Sequence, residues 1–195
     1  MKKENIITKI AGLIFLIWGI TAISHALYYG NPELILWACY ISLIILGVGF
    51  LIKNKILIES QINFLAFPLL FWTIDFLQYL FTGNSFLGIA DYFFNQGPLL
   101  TKIITSQHLW ALPLAIFSVR YLKSRKNTRI SILYSISYAI IIFILSRIFI
   151  SKESNINMVY SLFDITGIEY IFLWLGISLT IITITYFTLK KLKVY

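Results

Sequence analysis

Asp75 stands inside an apolar run, Phe71-Trp72-Thr73-Ile74-Asp75-Phe76-Leu77-Gln78. A carboxylate at the centre of a bilayer costs ~3 kcal/mol on insertion scales, so it faces protein or water and often marks function. His108 lies in a second apolar run, where Thr101, Thr105 and His108 recur at i, i+4 and i+7 and so share one helix face. An Asp–His pair between helices can relay a proton or act as a base. It can equally be a structural hydrogen bond worth ~1 kcal/mol or less. Cys39 supplies a thiol on a third run. A neighbouring imidazole makes the thiolate a nucleophile, whereas a lone membrane cysteine is more often a small apolar filler. His25, near the end of the first run, reads as solvated at a headgroup boundary.

Other chemistries lack their signatures. One cysteine forms no intrachain disulfide. The two histidines form no HxxH or HExxH pattern, and with Asp75 they supply only three scattered donors, so no metal site is expected. GxGxxG, P-loop and GxSxG motifs are missing, and no cofactor is implied.

The elements that must position these side chains follow from composition. Hydrophobic residues make up 59% of the 195 residues and charged ones 12%, with a mean hydropathy of +0.85. A soluble domain carries roughly 25% charged residues. The solvent for most of this chain must therefore be hydrocarbon. A crossing helix needs roughly 20 mostly apolar residues, and six stretches qualify, at about residues 6–28, 34–52, 56–81, 99–122, 130–150 and 168–189. Breaker or charged residues separate them, such as Gly30-Asn31-Pro32 and Lys53-Asn54-Lys55. Continuous apolar runs exclude the alternating pattern of a membrane β-barrel. The expectation is an all-α, polytopic transmembrane bundle with 1–195 as one domain. Met1-Lys2-Lys3 with small residues near Ala22-Ile23-Ser24 also resembles a secretory signal peptide, whose removal would leave five spans. Continuation of the run into Leu27-Tyr28-Tyr29 favours an uncleaved first helix.

Cytoplasmic loops retain Lys and Arg. With six spans, 13 of the 16 basic residues fall on the side of the two termini. Lys102, Arg147 and Lys152 fall on the other. Both ends are thus expected in the cytoplasm of a cell-membrane protein, and the net charge of +8 is expected to meet anionic lipid headgroups rather than nucleic acid. Asp75, His108, Cys39 and His25 then all lie in the outer half of the membrane. Pro68 and Pro113 fall inside the helices that carry Asp75 and His108, where each removes one backbone hydrogen bond. Such kinks fit an outward-open cavity and ordinary packing about equally well. Arg147 is expected to snorkel or to pair with Glu153 or Asp164. The five tryptophans read as packing residues and interface anchors. Gly12, Gly19, Gly47 and Gly49 are too scattered to predict a small-residue seam between subunits.

Several strings carry a resemblance: Asn31-Pro32 with Leu36-Trp37-Ala38-Cys39, then Trp72-Thr73-Ile74-Asp75-Phe76-Leu77, then Gly88-Ile89-Ala90-Asp91-Tyr92, then His108 with Leu112-Pro113, and Asn155-Ile156-Asn157-Met158-Val159-Tyr160. Across roughly residues 31–160 they look like a family of small, uncharacterised bacterial multi-pass membrane proteins with the motifs LWFCD, WxxDFL, HxxxPL and NINWVYG. The chain departs at Tyr40, where that family tends to have Asp, and at Met158, where it tends to have Trp. The resemblance implies a helical bundle and brings no activity. A topological likeness to the androgen-induced-gene intramembrane hydrolases implies Cys39 as nucleophile and His108 as base.

The leading expectation is an outward-facing polar pocket that binds or passes a small solute, lipid headgroup or proton. Asp75 and His108 would be its ionisable pair, with Asn155, Asn157, Cys39, Tyr92 and Trp72 around them. The alternatives are a lipid hydrolase or acyltransferase using Cys39 and His108, and a scaffold subunit whose pocket is dry and packed.

Overall fold

The computed structural model describes residues 3–94, 97–122, 129–162 and 165–194, and these are helical with no strand among them. In chain order the helices begin with α1 (Lys3–Tyr28), followed by a 3-10 turn (Pro32–Leu36), α2 (Ala38–Leu51) and α3 (Lys55–Thr82). Next come the short α4 (Asp91–Phe94), then α5 (Leu99–Thr105) and α6 (Gln107–Val119). Last are α7 (Arg129–Phe149), a second 3-10 turn (Ile156–Met158) and α8 (Gly167–Lys191). By length and composition, four of these can each cross a membrane: α1, α3, α7 and α8. Helix α1 runs unbroken through Ala22-Ile23-Ser24 to Tyr28.

Two of the six expected spans differ from a single helix. The run at 34–52 is interrupted at Trp37, whose φ of −55° and ψ of 119° are not helical. Pro32 opens the 3-10 turn, consistent with proline's fixed φ at a helix start, and α2 keeps only 14 residues. At ~1.5 Å per residue that is about 21 Å, short of a ~30 Å hydrocarbon core. The run at 99–122 is divided at Ser106 into α5 and α6. Pro68 and Pro113 lie inside α3 and α6, as expected.

Helix α3 is the axis of the bundle. It contacts α2, α6, α7 and α8, and every residue from Ile58 to Leu65 is buried. A helix covered on all sides is the core of an assembly rather than an amphipathic face. Farther along, Leu70, Ile74, Leu77 and Leu80 are exposed on one side, as suits hydrocarbon. Helix α1 packs along α2 through glycines that look scattered in the sequence. A Cβ on Gly47 would sit 2.7 Å from the backbone nitrogen of Leu16, and one on Gly19 would sit 2.7 Å from Ile44. The small-residue seam therefore exists, but within the chain.

Side-chain contacts mark the two ends of the bundle. At one, Lys53 Nζ donates to Asn5 Oδ1 at 2.8 Å, tying the α2–α3 turn to the start of α1. At the other, Asn157 bonds to Leu36 and Ala38. That joins the α7–α8 connection to the turn after α1.

Candidate functional site

Helix α3 stops at Gly83, which adopts φ 74°, the left-handed region that only glycine enters without strain. The chain then folds back over the helix it has left. Asp75 receives it: Oδ1 accepts the N–H of Phe86 at 2.9 Å and of Leu87 at 2.6 Å, and Oδ2 accepts the N–H of Ala90 at 2.9 Å. The residue is fully buried. One helical turn earlier on the same face, Trp72 Nε1 donates to Tyr92 Oη at 3.1 Å. The Trp72–Asp75 pair thus clamps the returning loop at two points and brings α4 against α3.

The sequence pairs Asp75 with His108, whereas the structure joins Asp75 to backbone amides. The physical reason is that a carboxylate is acceptor-only, and three otherwise unpaired loop N–H groups are the donors it meets. His108 is nevertheless a neighbour of this clamp. Its ring stacks on Trp72 at 4.6 Å between centroids, with Phe76 on Trp72 at 5.2 Å. Phe93 and Phe94 complete an aromatic cluster with Phe76. The expected polar pocket is, at this level, filled with packed rings.

The break at Ser106 explains how His108 is oriented. Leu109 N bonds to Ser106 O, a 3-10 step, rather than to Thr105 O. Two carbonyls are left for side chains: His108 Nδ1 meets Thr105 O at 2.7 Å, and Trp18 Nε1 donates to Ile104 O at 3.1 Å. A carbonyl only accepts, so Nδ1 carries a proton, and in the neutral tautomer this leaves Nε2 as the acceptor. Thr101, one turn before Thr105 on the same face, hydrogen-bonds His25 Nε2 at 3.1 Å, with Tyr29 against the His25 ring. His25 is therefore tied to α5 through Thr101.

Cys39 is the second residue of α2 and is half-buried. Its polar neighbour is the side chain of Gln107, and the phenols of Tyr40, Tyr92 and Tyr138 lie within electrostatic reach. No hydrogen bond joins Cys39 to His108 among the described residues, so the nucleophile–base contact needed for hydrolysis is not formed here. Gln107 is 1% exposed, and neither its amide nitrogen nor its oxygen has a hydrogen bond of ordinary geometry among the described residues. An unsatisfied buried amide costs about 1–3 kcal/mol per group. No protein-family model, curated protein or solved structure matches the chain.

Asn155 and Asn157 build the α7–α8 connection. Asn157 has a φ of 58°. Its Oδ1 accepts the N–H of Ala38 at 2.9 Å, and its Nδ2 donates to Leu36 O at 2.7 Å and Ser146 Oγ at 3.0 Å. It caps α2 from 119 residues away, one residue from Cys39. Asn155 closes a local loop, accepting from Tyr160 N and donating to Ser161 O. The tryptophans fill packing roles here too: Trp174 donates to Asn157 O and packs on Phe143. Arg147 stacks over Phe143 and Tyr160 at 5.3 and 4.6 Å and makes no ion pair with Glu153. The alternative partner, Asp164, lies outside the described residues.

Sequence reasoning missed Gln107 and a second polar group deeper in the bundle. Glu59, Ser60, Gln61 and Asn63 are all buried on α3. Glu59 pairs with Lys55 at 3.5 Å. Ser42 bonds to Gln61 Oε1 at 2.7 Å and lies 3.0 Å from Tyr138 Oη, which donates to Ala38 O. Asn63 reaches Ser131 and Ser135 on α7. The signal is present as four polar residues in five on α3 and as Ser131, Ser135 and Tyr138 at i, i+4 and i+7 on α7.

Proposed function

We propose that the chain is a six-crossing protein of the cell membrane with both ends in the cytoplasm, and that its outer recess binds a neutral polar group. Helices α1, α3, α7 and α8 supply four crossings. The turn plus α2, and α5 plus α6, supply two composite ones. Residues 99–119 extend about 31 Å at ~1.5 Å per residue, which matches the hydrocarbon thickness. The basic asymmetry sets the orientation.

The single observation that carries the recess is Gln107. Its buried amide, which beside the Cys39 thiol makes no hydrogen bond of ordinary geometry among the described residues, presents one donor face and one acceptor face. With Asp75 engaged by its own loop, the group bound is uncharged and offers an acceptor and a donor side by side. A small solute or the headgroup of a neutral lipid fits that chemistry. In this reading the packed rings of Trp72, Tyr92 and His108 close one side of the site, and Asp75, Asn155 and Asn157 hold the connections around them.

The test is native mass spectrometry of the protein taken directly from membranes, wild type against Gln107→Leu. A neutral adduct present in wild type and lost in the variant supports the reading. If Gln107→Leu raises thermal stability and wild type carries no adduct, the amide is only an unsatisfied core group and the recess is a packed scaffold.

A further inference from the structure

Arg147 lies in the last turn of α7 and is half-buried. Its guanidinium carbon stands 5.3 Å from the centroid of the Phe143 ring and 4.6 Å from that of Tyr160. The Tyr160 ring is fixed there because its hydroxyl lies 2.8 Å from Arg147 O and 2.9 Å from Ile150 O. Tyr170 on α8 is within electrostatic reach of the guanidinium. Aromatic side chains from α7, α8 and their connection thus box the charge. Nε and Nη2, the two donors of one guanidinium edge, are out of solvent and make no hydrogen bond among the described residues. No carboxylate among those residues lies within ion-pair distance of Arg147. Rings attract a cation through their quadrupole, but they carry no net charge and leave the guanidinium unneutralised. Its surroundings change at this level. Ile148 and Phe149 are 64% and 65% exposed, as suits hydrocarbon, while Lys152, Glu153 and Ser154 form an exposed polar turn just beyond.

A charge without a partner at a low-dielectric boundary is costly and calls for a counterion. We propose that Arg147 is a binding site for a phosphate oxyanion, supplied by the headgroup of a phospholipid in the leaflet at the α7–α8 connection. A guanidinium forks onto two oxygens of one phosphate, which a point charge cannot do. The aromatic box holds the side chain in place for that contact. The open side of the half-buried residue admits the headgroup, and exposed Ile148 and Phe149 lie along the acyl chains. The site is separate from the Gln107 recess and does not depend on the number of crossings.

Thermal unfolding of the full-length protein is followed in a nonionic detergent with phosphatidylglycerol, with diacylglycerol of the same chains, or with sodium phosphate against sodium chloride at matched ionic strength. Wild type should gain more from phosphatidylglycerol than from diacylglycerol. That phosphate-dependent gain should shrink in Arg147→Met, whose apolar side chain needs no counterion. Arg147→Lys keeps the charge and loses the fork, so its gain should fall between the two, and it carries the test if Arg147→Met fails to fold. A gain from sodium phosphate that matches the lipid and disappears in Arg147→Met would overturn the lipid as source and leave free phosphate as the occupant. An equal gain in wild type, Arg147→Met and Arg147→Lys would overturn the site itself. So would a gain that arises only in Asp164→Asn, since that carboxylate would then be the native counterion.

Discussion

The Asp75 carboxylate, buried inside α3, accepts the backbone N–H of Leu87 at 2.6 Å, twelve residues further along the chain. A side chain that reads as an ionisable site in sequence is here an anchor for backbone. The loop over the C-terminal end of α3 has few other means of satisfying its amides, and buried N–H groups require partners.

Asp75→Ala should release this loop. Hydrogen bonds to a charged group contribute about 1.5–3 kcal/mol each, and three are lost. Amide exchange at Phe86, Leu87 and Ala90 should accelerate strongly, while amides in the centre of α1 stay protected. Asp75→Asn should fall between, because its amide nitrogen would face a backbone donor. Unchanged protection at all three amides in Asp75→Ala would contradict the clamp.

Asn157 joins three elements through one amide and also adopts positive φ. Asn157→Gly keeps the backbone conformation and loses the bonds, whereas Asn157→Ala loses both. Loss of an N-cap side chain costs about 1 kcal/mol, and a non-glycine residue at positive φ adds strain. Thermal unfolding in detergent should rank wild type above Asn157→Gly and Asn157→Gly above Asn157→Ala. Equal stability of the two variants would mean that the φ carries no strain.

Helix content is legible in the sequence because six long apolar runs leave no other way to satisfy backbone groups in hydrocarbon. The interruptions at Trp37 and Ser106 are not. Each depends on a remote side chain, Asn157 capping Ala38 and Trp18 binding Ile104 O, and neither partnership is local in sequence. Trp72 stacks on His108 and donates to Tyr92, which joins α3, α6 and α4 through side chains far apart in sequence. The partner of Asp75 is hidden because a charged side chain in an apolar run suggests another side chain, and here loop amides bind it. Gln107 is overshadowed by the more reactive His108 beside it, since only the fold reveals that its amide is buried beside Cys39.

Gly47 tests the seam between α1 and α2. Any Cβ there would lie 2.7–2.9 Å from Leu16 atoms, two of them backbone. Overpacking of this kind costs about 1–3 kcal/mol, so Gly47→Ala should unfold at a lower temperature. Gly176, on an exposed stretch of α8 where an added Cβ would meet nothing within 4 Å, is the control. Gly176→Ala should be neutral or gain up to about 1 kcal/mol from helix propensity. A drop at Gly176 equal to that at Gly47 would remove close helix approach as the explanation.

The number of crossings has a direct test, because six and four crossings place two connections on opposite sides. If the turn plus α2 and the α5–α6 pair both cross, Ile52 ends on the cytoplasmic side with the N-terminus and Phe86 lies outside. If only α1, α3, α7 and α8 cross, Ile52 is outside and Phe86 inside, while Lys152 is outside in both arrangements. Ile52 and Phe86 are 61% and 74% exposed, so a cysteine at either is reachable by a reagent. On a Cys39→Ser background, a membrane-impermeant maleimide applied to intact cells should label Phe86→Cys and Lys152→Cys, and should label Ile52→Cys only after lysis. The reverse pattern at Ile52 and Phe86, with Lys152→Cys still labelled, would reduce the crossings to four. The Asp75 clamp would then sit on the cytoplasmic side while Cys39, between the end of α1 and the start of α3, stays outside, and the Lys53–Asn5 contact could not form.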